Sequence, residues 1–297
     1  MTLPTFEPAY AKVNLCLFLG PTRADGRHEL LTLFDSLTLA DGLEVTPGPS
    51  GDRVVCAGVR GPNLVADALA ALRAAGWDAP GLRVAIEKRI PVAAGMGGGS
   101  ADAAAILRLA PRLAAVDPDV LAEIAAGLGA DVPAQVDPGP SIGTGAGEVL
   151  QPLAALPPYA VLVLPQPFPL STAAVYREAD RLGLARTSDE LSALHAELTA
   201  AVPDRLPDGL IVNDLQPAAV SLAPVIENAL QAARDAGADR ALVCGSGPTV
   251  IGLYTGGGGL ERAAAAVQTL RASYPRATAA GAVGRCPGGV LDPTPNE

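Results

Sequence analysis

The sequence predicts an α+β protein built as two domains, and three observations carry that expectation. The opening stretch alternates apolar and polar residues with the period of β-strands. A strand-like run then feeds a glycine-rich loop that opens an alanine-rich helical pattern near residue 100. Past Leu156-Pro-Pro158, a stiff connector, the chain starts a second series of strands and helices. A length of 297 residues suits one large or two ordinary domains. With 49% hydrophobic and 18% charged residues the chain belongs with packed globular proteins and not with disordered ones.

Taken in order, residues 9–19 (AYAKVNLCLFL) alternate, with Lys12, Asn14 and Cys16 on one face and Val13, Leu15 and Leu17 on the other. A turn-forming segment, Gly20-Pro-Thr-Arg-Ala-Asp-Gly26, leads back into residues 30–39 (LLTLFDSLTL), and Asp41-Gly42 reads as a hairpin turn into Leu43-Glu44-Val45. Asn63 is placed to cap a helix over residues 64–75, apolar at 65, 68, 69 and 72 and stopped by Gly76. Residues 82–90 (LRVAIEKRI) form a strand before the glycine loop, with Ser100 where a helix N-cap is wanted. Pro111 should end or kink the following helix, and Asp117-Pro118 starts another running to about Gly127. Residues 141–148 (SIGTGAGE) read as a glycine-rich turn before a short strand at 149–153.

In the second half, 160–164 is a buried strand, and 171–183 and 188–200 are helical. Asn213-Asp214 precedes one helix ending near Gly237. Strand, glycine turn and strand follow over 240–254, then a helix from about 260 to 273 and a last strand near 278–283. The tail, 287–297, has the composition of a disordered segment.

Charge and cysteine usage exclude several classes. The net charge of −10 without a basic block argues against nucleic-acid and anionic-membrane surfaces. Cys16, Cys56, Cys244 and Cys286 are scattered without a C-x-x-C pair, so they read as small core residues in a reducing compartment. His28 and His195 are the only histidines, which excludes a histidine-rich metal centre. No apolar run has membrane-spanning length and no signal-peptide pattern opens the chain, so the expected location is the cytoplasm. Lys12 and Lys88 are the only lysines in a chain that otherwise uses arginine, and both fall beside suspected sites.

The loop itself is Pro91-Val92-Ala93-Ala94-Gly95-Met96-Gly97-Gly98-Gly99-Ser100-Ala101. Its glycines allow positive φ and a close approach of backbone to ligand. The helix it opens presents unpaired N–H groups at the positive end of a dipole, a setting suited to phosphate. No lysine follows, so it is not a Walker loop, and the third glycine of a dinucleotide fingerprint is replaced by Ser100.

Three separated motifs, Ala11-Lys-Val-Asn-Leu15, the glycine loop and Gly245-Ser-Gly-Pro-Thr249, together resemble the GHMP small-molecule kinases. Ala24-Asp-Gly-Arg-His-Glu-Leu30 and Gly129-Ala-Asp-Val-Pro133 narrow the resemblance to the branch that phosphorylates the methylerythritol portion of a cytidine diphosphate ester. It covers residues 9–285. It implies a ribosomal-S5-like N-terminal domain (1–156), a ferredoxin-like C-terminal domain (157–286), the 287–297 tail, and ATP with Mg²⁺ as cofactors. The implied partner is a small-molecule substrate, with no nucleic acid or membrane, for a monomer or weak homodimer. Kinases of mevalonate, homoserine or a sugar are the competing readings, followed by a catalytically silent nucleotide-binding relative.

On sequence alone Asp131 is the aspartate of a turn; the resemblance makes it the general base, with Lys12 as the catalytic lysine. The loop residues 91–101 would hold the β- and γ-phosphates. Ser100 is open to three roles: capping, touching phosphate, or helping hold Mg²⁺, whose protein ligands stay unassigned. Asn63, Lys88 and Asp102 match positions near the adenosine, and each reads equally as a cap or a surface residue. For the second substrate, His28 would read cytosine, Asn14 and Thr172 would lie by the methylerythritol, and Tyr176 would stack on the base or pack within its helix. The relatives' Asp-Gly-Tyr-His is Asp25-Gly-Arg27-His28 here. Arg27 is therefore expected to stack through its guanidinium in place of tyrosine, or else to stand exposed.

Overall fold

The computed structural model describes residues 4–48, 51–59, 61–92, 94–202, 204–285 and 291–292. In chain order these form β1 (Thr5–Thr22), β2 (His28–Pro47), β3 (Arg53–Cys56), α1 (Leu64–Ala74), β4 (Leu82–Glu87), α2 (Gly98–Leu113), α3 (Pro118–Leu128), α4 (Val132–Val136), β5 (Ser141–Thr144) and β6 (Val149–Pro152). They continue with β7 (Tyr159–Leu164), α5 (Thr172–Leu182), α6 (Ser188–Ala201), a single 3-10 turn (Asp208–Leu210), α7 (Gln216–Leu222) and α8 (Ile226–Asp235). The last elements are β8 (Arg240–Val243), β9 (Val250–Thr255), α9 (Gly259–Leu270), β10 (Thr278–Gly281), β11 (Gly284–Arg285) and β12 (Leu291–Asp292). No helix of the described residues is long and apolar enough to cross a membrane. The α+β class is as the sequence predicts.

The chain divides into two compact units. Unit 1 is Met1–Lys12, Leu39–Val92 and Gly97–Pro138; unit 2 is Val13–Thr38, Ala93–Met96 and Gly139–Glu297. In unit 1, β4 pairs in parallel with β3 and antiparallel with the second half of β2, from Gly42↔Glu87 to Pro47↔Leu82. Leu82, Val84 and Ile86 are buried at every second position of β4, the strand period expected where one face meets a core. α1 buries Val65, Ala68, Leu69 and Leu72, a single helical stripe. α2 touches α1, α3 and α4. Its alanines at 101, 103, 104 and 105 are fully buried, small enough to let neighbouring helices close in around it.

In unit 2, β10-β7-β9-β8 form an antiparallel sheet. Along the chain these strands occur as strand, helices, strand, strand, helix, strand. The first strand therefore lies beside the last, as in the ferredoxin-like arrangement. All six residues of β7 are buried. Leu162, Leu164, Val250 and Tyr254 belong to a core that also takes in Leu17, Leu19 and Leu30. The first half of β2 pairs with β5, and β5 with β6.

Several local expectations change. Asp41-Gly42 is not a turn: β2 runs straight through it, because the Asp41 side chain finds three donors elsewhere in unit 1 and Gly42 stays in the ladder opposite Glu87. Ser100 is not an N-cap. α2 starts three residues earlier than that cap would place it, capped by Gly97 at φ 66°, which leaves Ser100 inside the first turn. Pro111 does not stop α2, which continues to Leu113, and the indole of Trp77 donates to the carbonyls of Ala110 (3.3 Å) and Ala114 (3.4 Å) at that end. Residues 141–144 are strand, with the turn confined to 145–148. The single helix expected before Gly237 is two, α7 and α8, broken at Ala223-Pro224. A residue preceding proline is driven out of helical geometry, and Ala223 sits at φ −143°, ψ 79°. Cys286 lies outside the described residues. Of the 287–297 tail only Leu291–Asp292 are described, and they pair with β11.

Candidate active site

In unit 1 the glycine loop ends at Gly97, whose left-handed backbone turns the chain into α2. No side chain caps that helix, and the first bond back to the loop is Ala101 N to Gly97 O, 2.8 Å. The amides of the first turn therefore keep their donor capacity at the positive helix end. A Cβ on Gly97 would lie 2.9 Å from Lys12 Cγ and 3.1 Å from Gln135 Nε2, so the aliphatic stem of Lys12 passes directly against this turn. Glycine is required there on both counts, conformation and space. Gly99 is exposed, whereas Pro91 and Met96 are buried and Val92 is exposed. Ala93 lies outside the described residues.

Lys12 extends from β1 to place Nζ 3.7 Å from Asp131 Oδ2. The two side chains are 12% and 37% exposed, so the pair meets solvent mainly through the carboxylate. Asp131 precedes α4 yet makes no capping bond through its side chain. One turn on, Gln135 is 1% exposed with neither amide atom partnered among the described residues. A buried polar group left unpaired costs about 1–3 kcal/mol, and this cost is carried beside the Lys12–Asp131 pair. α4 is held by Arg108, which donates to Gln135 O (2.6 Å), to Pro8 O and to Glu7 Oε1 (3.0 Å).

Lys88 and Asp102 do meet, in a cluster that sequence reasoning missed. Lys88 Nζ donates to Asp41 Oδ2 and, at 2.8 Å, to Asp102 Oδ2. Asp102 Oδ1 is buried without a partner among the described residues. Burial, opposed by the Lys88 ammonium, pushes the Asp102 carboxyl up to about 7. Asn63 caps α1, accepting from Val65 N at 2.9 Å.

In unit 2 the other part of the loop, Ala94–Met96, lies against the Gly245-Ser-Gly247 turn. Gly95, at φ 78°, leaves no room for a Cβ, which would run into the Cys244 carbonyl, and Cys244 Sγ lies 3.6 Å from Gly95 O. Thr172 joins the same turn, its Oγ1 2.9 Å from Ser246 Oγ. His28 is buried. Its Nδ1 bonds Gly20 O at 3.0 Å, its Nε2 lies 3.0 Å from Asp180 Oδ1, and Tyr176 stands with ring centroids 5.5 Å apart, tilted 32°. Asn14 is buried and donates to Thr32 Oγ1 at 2.8 Å, which in turn bonds Cys16 O. Arg27 is 54% exposed and bonded to Asp25 through both Nε and its own amide.

Sequence reasoning passed over Asp41, Gln135 and Asp180. A charged residue inside an apolar strand was the available signal for Asp41, and the Asp-Gly pair disguised it. Nothing local marks the other two.

The family models for the GHMP kinases N terminal domain and the GHMP kinases C terminal region match residues 63–139 and 191–275. The chain is 38% identical over 287 residues to a 4-diphosphocytidyl-2-C-methyl-D-erythritol kinase of Salinispora tropica, covering 92% of this chain and 90% of the relative. It is 41% identical over 261 residues to the enzyme of that name from Streptomyces coelicolor, covering 82% and 86%. A crystal structure of 4-(cytidine 5'-diphospho)-2C-methyl-D-erythritol kinase superposes with a TM-score of 0.77 at 36% identity, covering 95% of this chain and all of the other.

Proposed function

The chain belongs to the GHMP kinases, and within them to the 4-diphosphocytidyl-2-C-methyl-D-erythritol kinases; from that premise we propose that it transfers the γ-phosphoryl group of ATP to the 2-hydroxyl of that cytidine diphosphate ester. The observation that carries the reading is the Lys12–Asp131 pair, 3.7 Å apart, beside the uncapped start of α2. Phosphoryl transfer demands positioning and charge stabilisation more than covalent chemistry from the protein. Asp131 accepts the proton of the attacking hydroxyl. Lys12 sets a positive charge beside the oxygen that becomes nucleophilic. The amides of residues 94–101 hold the β- and γ-phosphates; Gly95 and Gly97 supply the positive-φ turns, and the uncapped start of α2 supplies free amides at the positive end of its dipole.

His28 reads the cytosine edge and Tyr176 packs on its face, with Arg27 swinging from Asp25 to complete the sandwich. Thr172 and Asn14 face the methylerythritol. Asn63, Lys88 and Asp102 act nearer the adenosine, Lys88 and Asp102 from within their ion cluster. A Mg²⁺ ion would be held mainly through phosphate oxygens and water, with Ser100 the one side chain of the loop open to it, and would supply charge neutralisation. The reading includes a domain divide near residue 156, a cytoplasmic location, and a monomer or weak homodimer.

The test is incubation with ATP, Mg²⁺ and the cytidine diphosphate ester, followed by phosphorus NMR. A new phosphate monoester signal, with one ADP formed per ester consumed, is expected. ADP release without that signal, or activity only on mevalonate or homoserine, would overturn the assignment.

A further inference from the structure

Asp41 is an unusual residue to find where it is. Its side chain has no exposed surface, it lies within a long strand, and it has no place among the residues assigned to chemistry above. Burying a carboxylate is costly unless donors surround it, and a well-packed apolar residue serves stability as well. The donors here are specific. The ladder between β2 and β4 ends at Gly42↔Glu87, and the next amides would lack a strand acceptor. Asp41 Oδ1 takes both, from Arg89 N at 2.5 Å and Ile90 N at 2.8 Å. Its other oxygen takes Lys88 Nζ. That ammonium reaches on to Asp102 Oδ2 in α2 at 2.8 Å and would stand 3.2 Å from a Cβ on Gly98.

One carboxylate therefore holds the backbone leading into the glycine loop directly, and the helix leaving it through Lys88. Resting on the ATP-kinase reading, we propose that Asp41 is a positioning residue for nucleotide binding, fixing residues 88–90 and the first turn of α2 so that the amides of Gly97 to Ser100 stand ready for phosphate. Donors fixed beforehand bind without first losing freedom, which is where such a residue acts.

Asp41→Asn keeps the volume and an oxygen for the two amides but removes the charge that holds Lys88; Asp41→Ala removes both. ATP binding by the full chain is measured by calorimetry, alongside KM for ATP and for the cytidine ester, with folding checked by circular dichroism. Asp41→Asn should weaken ATP binding by about tenfold, and Asp41→Ala by more, with KM for the ester within about twofold of the parent. ATP affinity within twofold in a folded Asp41→Asn chain overturns the proposal. So does an equal rise in both KM values, which marks a purely structural role. Should Asp41→Ala not fold, the Asn variant alone decides. A parent that binds ATP but leaves the ester untouched defeats the proposed substrate and still leaves the Asp41 comparison decisive. A parent that binds no ATP defeats both.

Discussion

The charges around α2 and those around His28 are arranged in opposite ways. Asp41, Lys88 and Asp102 expose 0%, 14% and 5% of their side chains; Lys88 bridges the two carboxylates, and Asp41 also takes two backbone amides. At the other site the charged groups are solvent-exposed: Asp180, which pairs with His28, is 53% exposed, and Arg27, which pairs with Asp25, is 54% exposed. Buried, multiply bonded charges are costly to separate, whereas exposed pairs contribute about 0–1 kcal/mol and rearrange freely. A phosphate chain presents one geometry and suits a rigid cradle. A base and its sugar diphosphate arrive with their own donors and acceptors, and exposed pairs can exchange for them.

The comparison breaks first if the chemistry is not done by the Lys12–Asp131 pair beside the start of α2. Asp131→Asn should lower kcat by roughly 10²- to 10⁴-fold, measured by ADP release, while ATP affinity by calorimetry stays within about threefold; a kcat within tenfold of the parent removes Asp131 as the base. Gly97→Ala comes next. The added methyl meets Lys12 Cγ and Gln135 Nε2 at a φ of 66°, and a shift of catalytic groups by an ångström costs on the order of 10²-fold. That loss should appear in kcat/KM for ATP; an alanine variant with parental kinetics would show the cradle to be loose.

The exposed region should give smaller and more selective effects. Arg27→Ala is expected to raise KM for the cytidine ester about fivefold, the low end of base-stacking contributions, with KM for ATP unchanged. Equal KM values before and after would leave Arg27 a bystander. The smallest effect concerns pH. The Asp102 carboxyl, raised by burial from 3.8 to about 7, binds its proton more tightly folded than unfolded. Its contribution to stability is full below the unfolded value and is lost as pH rises through about 7. Asp102→Asn should therefore flatten the urea midpoint against pH between about 4 and 7. An unchanged slope would show that another group carries the proton.

Much of this was legible along the chain. The stripe of α1 at 65, 68, 69 and 72, the Asn63 cap and the strand before the loop all follow from local spacing; each is found, though the strand expected over 82–90 ends at Glu87. The misreadings share a physical cause. Asp41-Gly42 has turn chemistry by itself, but in the folded chain the carboxylate finds Lys88 and two amides some 47 to 49 positions away. Ser100 caps well by type, yet Gly97 already adopts the left-handed conformation that starts α2. In both places a conformation or a partner fixed elsewhere outweighed a local preference.

The order of residues alone determined the α+β class and the glycine loop opening a helix, because periodicity is a property of the chain before it folds, and it carried the motifs whose resemblance pointed to the kinase family. Only the tertiary structure decided that Lys12 and Asp131, 119 positions apart, stand 3.7 Å from each other. It alone decided that the Asp41 carboxylate takes the amides of Arg89 and Ile90 leading into the loop, and that His28 faces Asp180 and Tyr176. Burial and the pairing of distant charges are set by packing, which no local pattern records.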